Sequence, residues 1–401
     1  MVSLHTSPVA QPGSGDSGGM NVSILSLAEQ LARRGATVDL LTRAVGEPGE
    51  RELFDGVTLH ELAAGPKGQL DRNQLAAAAD EFGEAVASLT GRRQPRYDVI
   101  HAHYWLSGLA TLPVALELKL PFVQSFHTLA AMKNETGSAE PERRVRTEMY
   151  LANQATAVVA GSAAEATALI DLARAPADRV WVLPPGVDIE LFTPRRADAA
   201  AVRIRAQLSI AGDRPILAVV GRLQPLKDQK LAIRALSLLG PDPVMVIAGE
   251  PPPGDESYAN SLRELARQGG DVRFMGALSR EHLADLLAAA AITIVPSRSE
   301  TFGIVALESA ASGTPVVAFR GSGLLESVAD GVSGILVDTR EPADWANTIG
   351  SLLDDRLRLD ALSASARHHA EPFTWAASAT AMLALYESLI ESAGIQSAGR
   401  P

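Results

Sequence analysis

Short runs of β-branched and other apolar residues alternate along this chain with longer stretches whose apolar positions recur every three to four residues. In the first half the runs that predict strands are Val2–Leu4, Thr37–Leu41, Val57–Leu62, Asp98–Ala102, Phe122–Phe126, Ala157–Ala160 and Val180–Leu183. In the second half they are Pro215–Val220, Val244–Ala248, Val272–Met275, Ala291–Val295, Pro315–Phe319 and Gly334–Val337. Helical stretches intervene, as from Asn21 to Arg34, where Ile24, Leu25, Ala28, Leu31 and Ala32 share one apolar face and Gly35 supplies a stop. This is βαβ alternation twice over, which predicts two doubly wound parallel sheets. The patterns separate at Pro184-Pro185-Gly186-Val187-Asp188 and Phe192-Thr193-Pro194, so residues 1–185 and 186–373 are expected to form an N-terminal and a C-terminal domain. A last amphipathic stretch, Thr374 to Ile390, follows the second pattern and is assigned back to the first domain as a helix over 374–392, with 393–401 a loose tail.

Composition changes the picture mainly by exclusion. Of 401 residues, 46% are apolar and 21% charged, enough for a sizeable core in each half. The net charge of −11 disfavours nucleic acid and anionic membrane as partners, so any cations that grip a phosphate must be local. With no cysteine in the chain, disulfides, thiolate nucleophiles and Cys-ligated metals are excluded. The N-terminal residues lack the basic and apolar regions of a signal peptide, and the longest apolar run, Leu286 to Val295, is too short to cross a bilayer. A cytoplasmic protein without stable membrane insertion is expected.

The candidate chemistry concentrates in the second half. Pro215-Ile-Leu-Ala-Val-Val-Gly221 breaks into Arg222-Leu-Gln-Pro-Leu-Lys227, and Ser297-Arg-Ser-Glu300-Thr-Phe-Gly-Ile-Val-Ala-Leu-Glu308 places two carboxylates with seven residues between them. If a helix runs from Thr301 or Phe302 to Ser312, Glu308 lies about 12 Å beyond Glu300 at ~1.5 Å per residue. Glu300 can then accept from hexose hydroxyls and Glu308 from ribose hydroxyls, with helix N–H groups between them aimed at a diphosphate. Arg222 and Lys227 supply the charge that stabilises a departing nucleoside diphosphate. Taken singly, each of these four residues is more often a solvated charge; together, beside Gly- and Pro-broken strand ends, they point to a sugar-nucleotide site.

On these motifs the chain resembles a retaining glycosyltransferase of the GT4 family, an α/β protein with the GT-B architecture of two Rossmann-like domains facing across a cleft. The Gly-Arg-Leu-x-Pro-x-Lys and Glu-x7-Glu motifs match without gaps, and the likeness runs from His5 to about Ser392. The run from His5 through Gly18-Gly19-Met20-Asn21, with His101-Ala-His103-Tyr104 and His127-Thr128-Leu-Ala-Ala-Met-Lys133-Asn134, is similar to the branch of that family that moves N-acetylglucosamine from UDP-GlcNAc to an inositol phosphate in mycothiol biosynthesis. The resemblance implies that Gly19 approaches the donor diphosphate, that His127 contacts the donor sugar, and that Phe302, Gly303 and Met275 help to bind the donor. It implies that Asn21 contacts the inositol, while Arg72, Tyr104, Thr128 and Arg144 hold the acceptor phosphate. Arg72 stands where the family usually has Lys, and Arg143 is an alternative to Arg144 by one residue of register. The implied partners are a UDP-sugar and a phosphorylated polyol; a homodimer is left open. Read from the residues alone, Tyr104 and Thr128 follow predicted strands, and Lys67, Arg72 and Lys133 add cations nearby, whereas Arg143, Arg144 and Arg146 would ordinarily be a solvated helix face.

Two other constellations compete. Gly13-Ser-Gly15-Asp-Ser-Gly18 has the literal spacing of a dinucleotide-binding loop, with Asp39 some twenty residues on, but His5 to Pro12 intrudes between strand and first glycine, which argues against an NAD-dependent dehydrogenase. His101, His103 and His127 could be taken for a metal cluster, but no carboxylate or Cys completes it with familiar spacing. No Asp-x-Asp occurs, so no cofactor is expected to be required, and Mg²⁺ at most stimulates by screening anionic substrates. Within the enzyme class the runner-up is another GT4 transferase, such as a sucrose-phosphate-synthase-like one; outside it, a non-catalytic sugar-nucleotide-binding module.

Overall fold

The structure, a computed structural model, describes residues 1–137, 140–240, 242–252 and 254–394. Most of the expected tail, 395–401, lies outside the described residues. Contacts divide the described residues into two units: 1–10, 20–184 and those from 375 to 394 form the first, and 11–19 with 185–374 the second.

Among the described residues the first unit holds a sheet of eight strands: β1 (Val2–Ser3), β2 (Val38–Arg43), β3 (Gly49–Phe54), β4 (Val57–Leu62), β5 (Ile100–His103), β6 (Phe122–Ser125), β7 (Ala157–Ala160) and β8 (Val180–Val182). Their order is β3-β4-β2-β1-β5-β6-β7-β8. All neighbours are parallel except β3, which runs antiparallel to β4. This edge strand was not among the expected ones. Its sequence, Gly-Glu-Arg-Glu-Leu-Phe, is almost wholly exposed, so it carries no buried face to impose alternation. Asp55-Gly56 between β3 and β4, with Gly56 at φ 76°, is the hairpin signal that marks it.

The helix Gly19–Ala32 buries Ile24, Leu27, Ala28 and Leu31 on the sheet and ends before Gly35 at φ 87°. The helix Trp375–Ser392 packs on the same face, its Ala379, Met382, Leu385 and Tyr386 joining the cluster that contains Ile24, Leu40 and Val123. Tyr386 reaches the sheet itself, its hydroxyl 2.6 Å from His101 Nδ1 on β5.

The second unit's sheet is parallel throughout: β9 (Ile216–Val220), β10 (Val244–Ala248), β11 (Asp271–Gly276), β12 (Ile292–Val295), β13 (Val316–Phe319) and β14 (Gly334–Val337), ordered β11-β10-β9-β12-β13-β14. The central strands are buried on both faces, which is why Val-Met-Val-Ile-Ala in β10 reads as a continuous apolar run. In both sheets the strand order reverses beside the first strand of the unit, β1 or β9. Open α/β sheets bind ligands outside the carboxyl ends of the strands at that reversal. Tyr104 follows β5 there, Arg222 follows β9, and Ser297 follows β12.

Candidate functional site

The residues expected on the donor side are built on the ends of β9, β10 and β12. Gly221 leaves β9 at φ 145° and Gly249 leaves β10 at φ 139°. A Cβ at Gly249 would stand 2.1 Å from the Gly221 carbonyl oxygen, so the two turns can pass only if glycine is there. Arg222 follows, donating from NH1 to Asp16 Oδ1 at 2.8 Å. The glycine-rich segment that carries Asp16 docks in the same place, with Glu250 N donating to Gly13 O at 3.1 Å. The segment therefore belongs with the second unit, although the helix Gly19–Ala32 that follows it packs on the first sheet.

Lys227 closes the 3-10 turn Pro225–Lys227 and pairs through Nζ with Glu300 Oε1 at 2.5 Å. The turn is fixed from behind. Asp228, in the left-handed region at φ 47°, accepts from Arg298 NH2 at 2.9 Å and Arg340 NH2 at 2.7 Å, while Gln229 Nε2 donates to Arg222 O at 2.8 Å. Glu300 is held by its backbone, whose N–H donates to Ser322 Oγ and whose carbonyl accepts from Gly323 N, both at 2.9 Å. A Cβ on Gly323 would meet Thr301 O at 2.4 Å and the Phe302 backbone at 2.5 Å.

The helix expected from 301 or 302 begins later, as Ile304–Ala311, because Gly303 at φ 99° takes the left-handed cap position. The ~12 Å estimate between the two carboxylates assumed helix throughout and does not apply to 300–303. Phe302 buries its ring against Phe373 at 6.0 Å between centroids, so it can offer a ligand only backbone. Glu308 is also buried, and Arg280 NH1 donates to its Oε1 at 2.6 Å. Burial raises the Glu308 pKa against the opposing pull of Arg280. Arg280, like Asp16, escaped sequence reasoning, since it lies 28 residues from its partner with no motif between them. Gly19 abuts this helix start, its Cβ position 3.3 Å from Ile304 Cδ1. Met275 lies partly buried at the end of β11, next to Gly276. Arg222, Lys227, Glu300, Gly303, Gly19 and the helix start are thus elements of one unit.

The residues expected on the acceptor side gather in the first unit. Tyr104 at φ 73° and His127 at φ 58° follow β5 and β6 in backbone conformations that side chains of their size rarely adopt, a strain that marks functional positions. The Tyr104 ring stacks on His5 at 4.5 Å and carries the Arg144 guanidinium 5.1 Å from its centroid. Of the two register alternatives, Arg143 is exposed and Arg144 is 3% exposed. Arg144 donates to Glu148 at 2.7 Å, to Glu140 at 2.9 Å, and to both the backbone oxygen and Oγ1 of Thr128 at 3.0 Å. Burial disfavours its charge, but Tyr104, Glu148 and Glu140 hold its pKa above the ordinary value. Lys133 Nζ is 3.1 Å from Glu140, and burial together with Arg144 and Arg72 brings it down to about 8. Arg72, at the exposed start of the helix Arg72–Ala77, is near enough to act on both. Glu140 and Glu148 were not anticipated, although their i−4 and i+4 spacing from Arg144 is legible. Lys67, by contrast, is an exposed residue paired with Glu47 and belongs to no cluster described here. Asn21 is 1% exposed and donates from Nδ2 to Ser7 O at 2.7 Å, bracing the segment beside His5.

The three histidines are occupied with neighbours. His101 bonds Tyr386 and Ser125 through its two ring nitrogens, and His103 Nδ1 lies 2.9 Å from His127 Nε2. Burial lowers the pKa of all three, that of His127 to about 4, so they are neutral near pH 7. Among the described residues no group of three or more His, Asp or Glu side chains is placed to hold a metal ion.

One doubly wound unit carries paired cations and carboxylates at a helix start, and the other a buried cation cluster at its strand ends. Residues 202–369 match the family model described as glycosyl transferases group 1, and 18–186 match the glycosyl transferase 4-like domain. A D-inositol 3-phosphate glycosyltransferase of Mycolicibacterium smegmatis is 41% identical over 96% of this chain and 90% of its own. A protein of the same name from Stackebrandtia nassauensis is 40% identical over 98% and 91%. Among solved structures, sucrose-phosphate synthase from Thermosynechococcus elongatus superposes with a TM-score of 0.87 at 29% identity, covering 98% of both chains. The chain belongs to this family of GT-B glycosyltransferases.

Proposed function

We propose that this enzyme transfers N-acetylglucosamine from UDP-GlcNAc to 1D-myo-inositol 3-phosphate with retention of configuration. The observation that carries the acceptor is Arg144, buried against Tyr104 and Thr128 and bridged through Glu140 to Lys133 with Arg72 near enough to act on both Glu140 and Lys133, three cations against two carboxylates in a chain of net charge −11. The donor side rests on Arg222, Lys227 and the Gly303 helix start, which suit a diphosphate, and on Glu300 and Glu308, which suit sugar and ribose hydroxyls. His127 contacts the hexose, and Gly19 lets its backbone approach the phosphates.

In this mechanism the bond from the sugar C1 to the β-phosphate oxygen breaks while the acceptor hydroxyl attacks C1 from the same face. The hydroxyl proton passes to the departing phosphate oxygen. Arg222 and Lys227 stabilise the charge that develops on UDP, a preorganised electrostatic term of the kind that dominates many enzymes. No covalent nucleophile and no metal is required; Mg²⁺ screens the substrates at most. A cytoplasmic location completes the reading. The likeness to sucrose-phosphate synthase favours a second reading, with a ketose phosphate as acceptor. UDP- and ADP-sugars assayed against inositol phosphate, inositol and fructose phosphate separate the two. Efficient transfer to fructose phosphate, with none to inositol phosphate, would overturn the first.

A further inference from the structure

We propose that Glu140 is the resident anion of the acceptor pocket, a carboxylate lying between Lys133 and Arg144 where the acceptor's phosphate binds, and that it sets the pocket's selectivity by having to be displaced. The inference rests on reading Arg72, Tyr104, Thr128 and Arg144 as the phosphate site.

The two carboxylates of the cluster differ in how they are held. Glu148 is 2% exposed and anchored at both oxygens, Oε1 by Arg144 Nε and Oε2 by the Ala130 N–H, each at 2.7 Å. It belongs to the fold. Glu140 presents one oxygen to Lys133 at 3.1 Å and the other to Arg144 NH1 at 2.9 Å, the two-point bridge that two oxygens of a phosphate would make. Among the described residues no backbone N–H donates to its carboxylate, and its side chain is 12% exposed. Its own backbone N–H donates to Asn134 Oδ1 at 2.7 Å, which tethers the residue beside the pocket whichever way the carboxylate points.

Charge balance points the same way. Three cations, Arg72, Lys133 and Arg144, face two carboxylates and leave one net positive charge, too little for a phosphate dianion. With Glu140 turned out to solvent, two positive charges remain and the dianion is neutralised. Buried like charges a few ångströms apart cost several kcal/mol even at an effective dielectric of about 20, so phosphate and Glu140 exclude each other. A tethered carboxylate also competes at high effective concentration. Free phosphate, which brings no polyol contacts, loses that competition; a phosphorylated polyol wins it through its hydroxyls.

The test compares Glu140→Gln and Glu140→Ala with wild type, using inositol phosphate and inositol as acceptors and inorganic phosphate as inhibitor. Both variants should bind inositol phosphate roughly five- to tenfold more tightly, as expected for removing a partly buried competing ion pair. They should be inhibited by inorganic phosphate at correspondingly lower concentration, with KM for bare inositol unchanged. Loss of affinity for inositol phosphate, or a rise in KM for both acceptors, would mean that Glu140 supports the site and would overturn the proposal. Unchanged constants throughout would overturn it while leaving the phosphate site standing. If wild type itself does not distinguish inositol from its phosphate, the acceptor reading falls and the proposal with it.

Discussion

Replacing Lys227 by Ala removes a cation whose partner in the structure is Glu300, the carboxylate proposed to bind the donor sugar. Lys227 Nζ lies 2.5 Å from Glu300 Oε1, and their side chains are 23% and 16% exposed, so solvent screens the pair only in part. Two losses follow. The departing UDP loses a charge-assisted hydrogen bond of about 1.5–3 kcal/mol, and Glu300 is left unpartnered beside an anionic leaving group. Because negative charge on the β-phosphate grows toward the transition state, the loss falls on kcat more than on donor KM. Lys227→Ala should therefore turn over at least ten- to a hundredfold more slowly. Glu300→Gln on that background relieves the second loss without restoring the first, so the double variant should lose less than the two single losses combined. Arg222→Ala should act similarly, since Asp16 is its partner at 2.8 Å. Steady-state kinetics at saturating acceptor, with donor varied, reads both constants. Wild-type turnover in Lys227→Ala and Arg222→Ala would refute the assignment of these cations to the leaving group.

Arg144→Met strands buried Glu148 without its ion pair and should cost about 3–5 kcal/mol of stability, most of it recovered by adding Glu148→Gln; urea denaturation of the single and double variants measures both. Arg72→Ala, at an exposed position, should leave stability nearly unchanged and raise KM for inositol phosphate more than for inositol, which paired acceptor titrations read. Activity should survive exhaustive chelation by EDTA; abolition restored by one specific metal would return the His101, His103 and His127 group to consideration as ligands. Burial raises the Glu165 carboxyl from its ordinary 4.5 to about 7, so folding takes up a proton there. The stability this contributes is fully present below pH 4.5 and is lost as pH rises toward 7, so between pH 5 and 8 wild type should lose up to ~3 kcal/mol that Glu165→Gln does not, read as the difference in their denaturation midpoints.

What the sequence made legible is whatever repeats locally. Parallel strands buried on both faces leave continuous apolar runs, so β7 and β10 fall within the bounds that composition suggests. The strand β3 has no buried face and left only the Asp55-Gly56 turn as a trace. Motif residues were legible because glycine, proline and charge cluster where the chain turns sharply after a strand, as at Gly221-Arg222 and Glu300 to Gly303. Their partners were not. Arg280 meets Glu308 across 28 residues, Asp16 meets Arg222 across 206, and Ser322 and Gly323 fix Glu300 only because a separate loop folds under it. Such contacts depend on which loops the sheet order brings together, and no period in the chain encodes that order. The Arg144 cluster lies between these cases. Its i−4 and i+4 carboxylates are a helical spacing anyone can read, yet that spacing ordinarily means a solvated face worth a few tenths of a kcal/mol. Only burial, which packs Arg144 against Tyr104 and Thr128, turns the same three residues into a cluster in which Glu148 is anchored at both oxygens and Glu140 bridges Arg144 to Lys133.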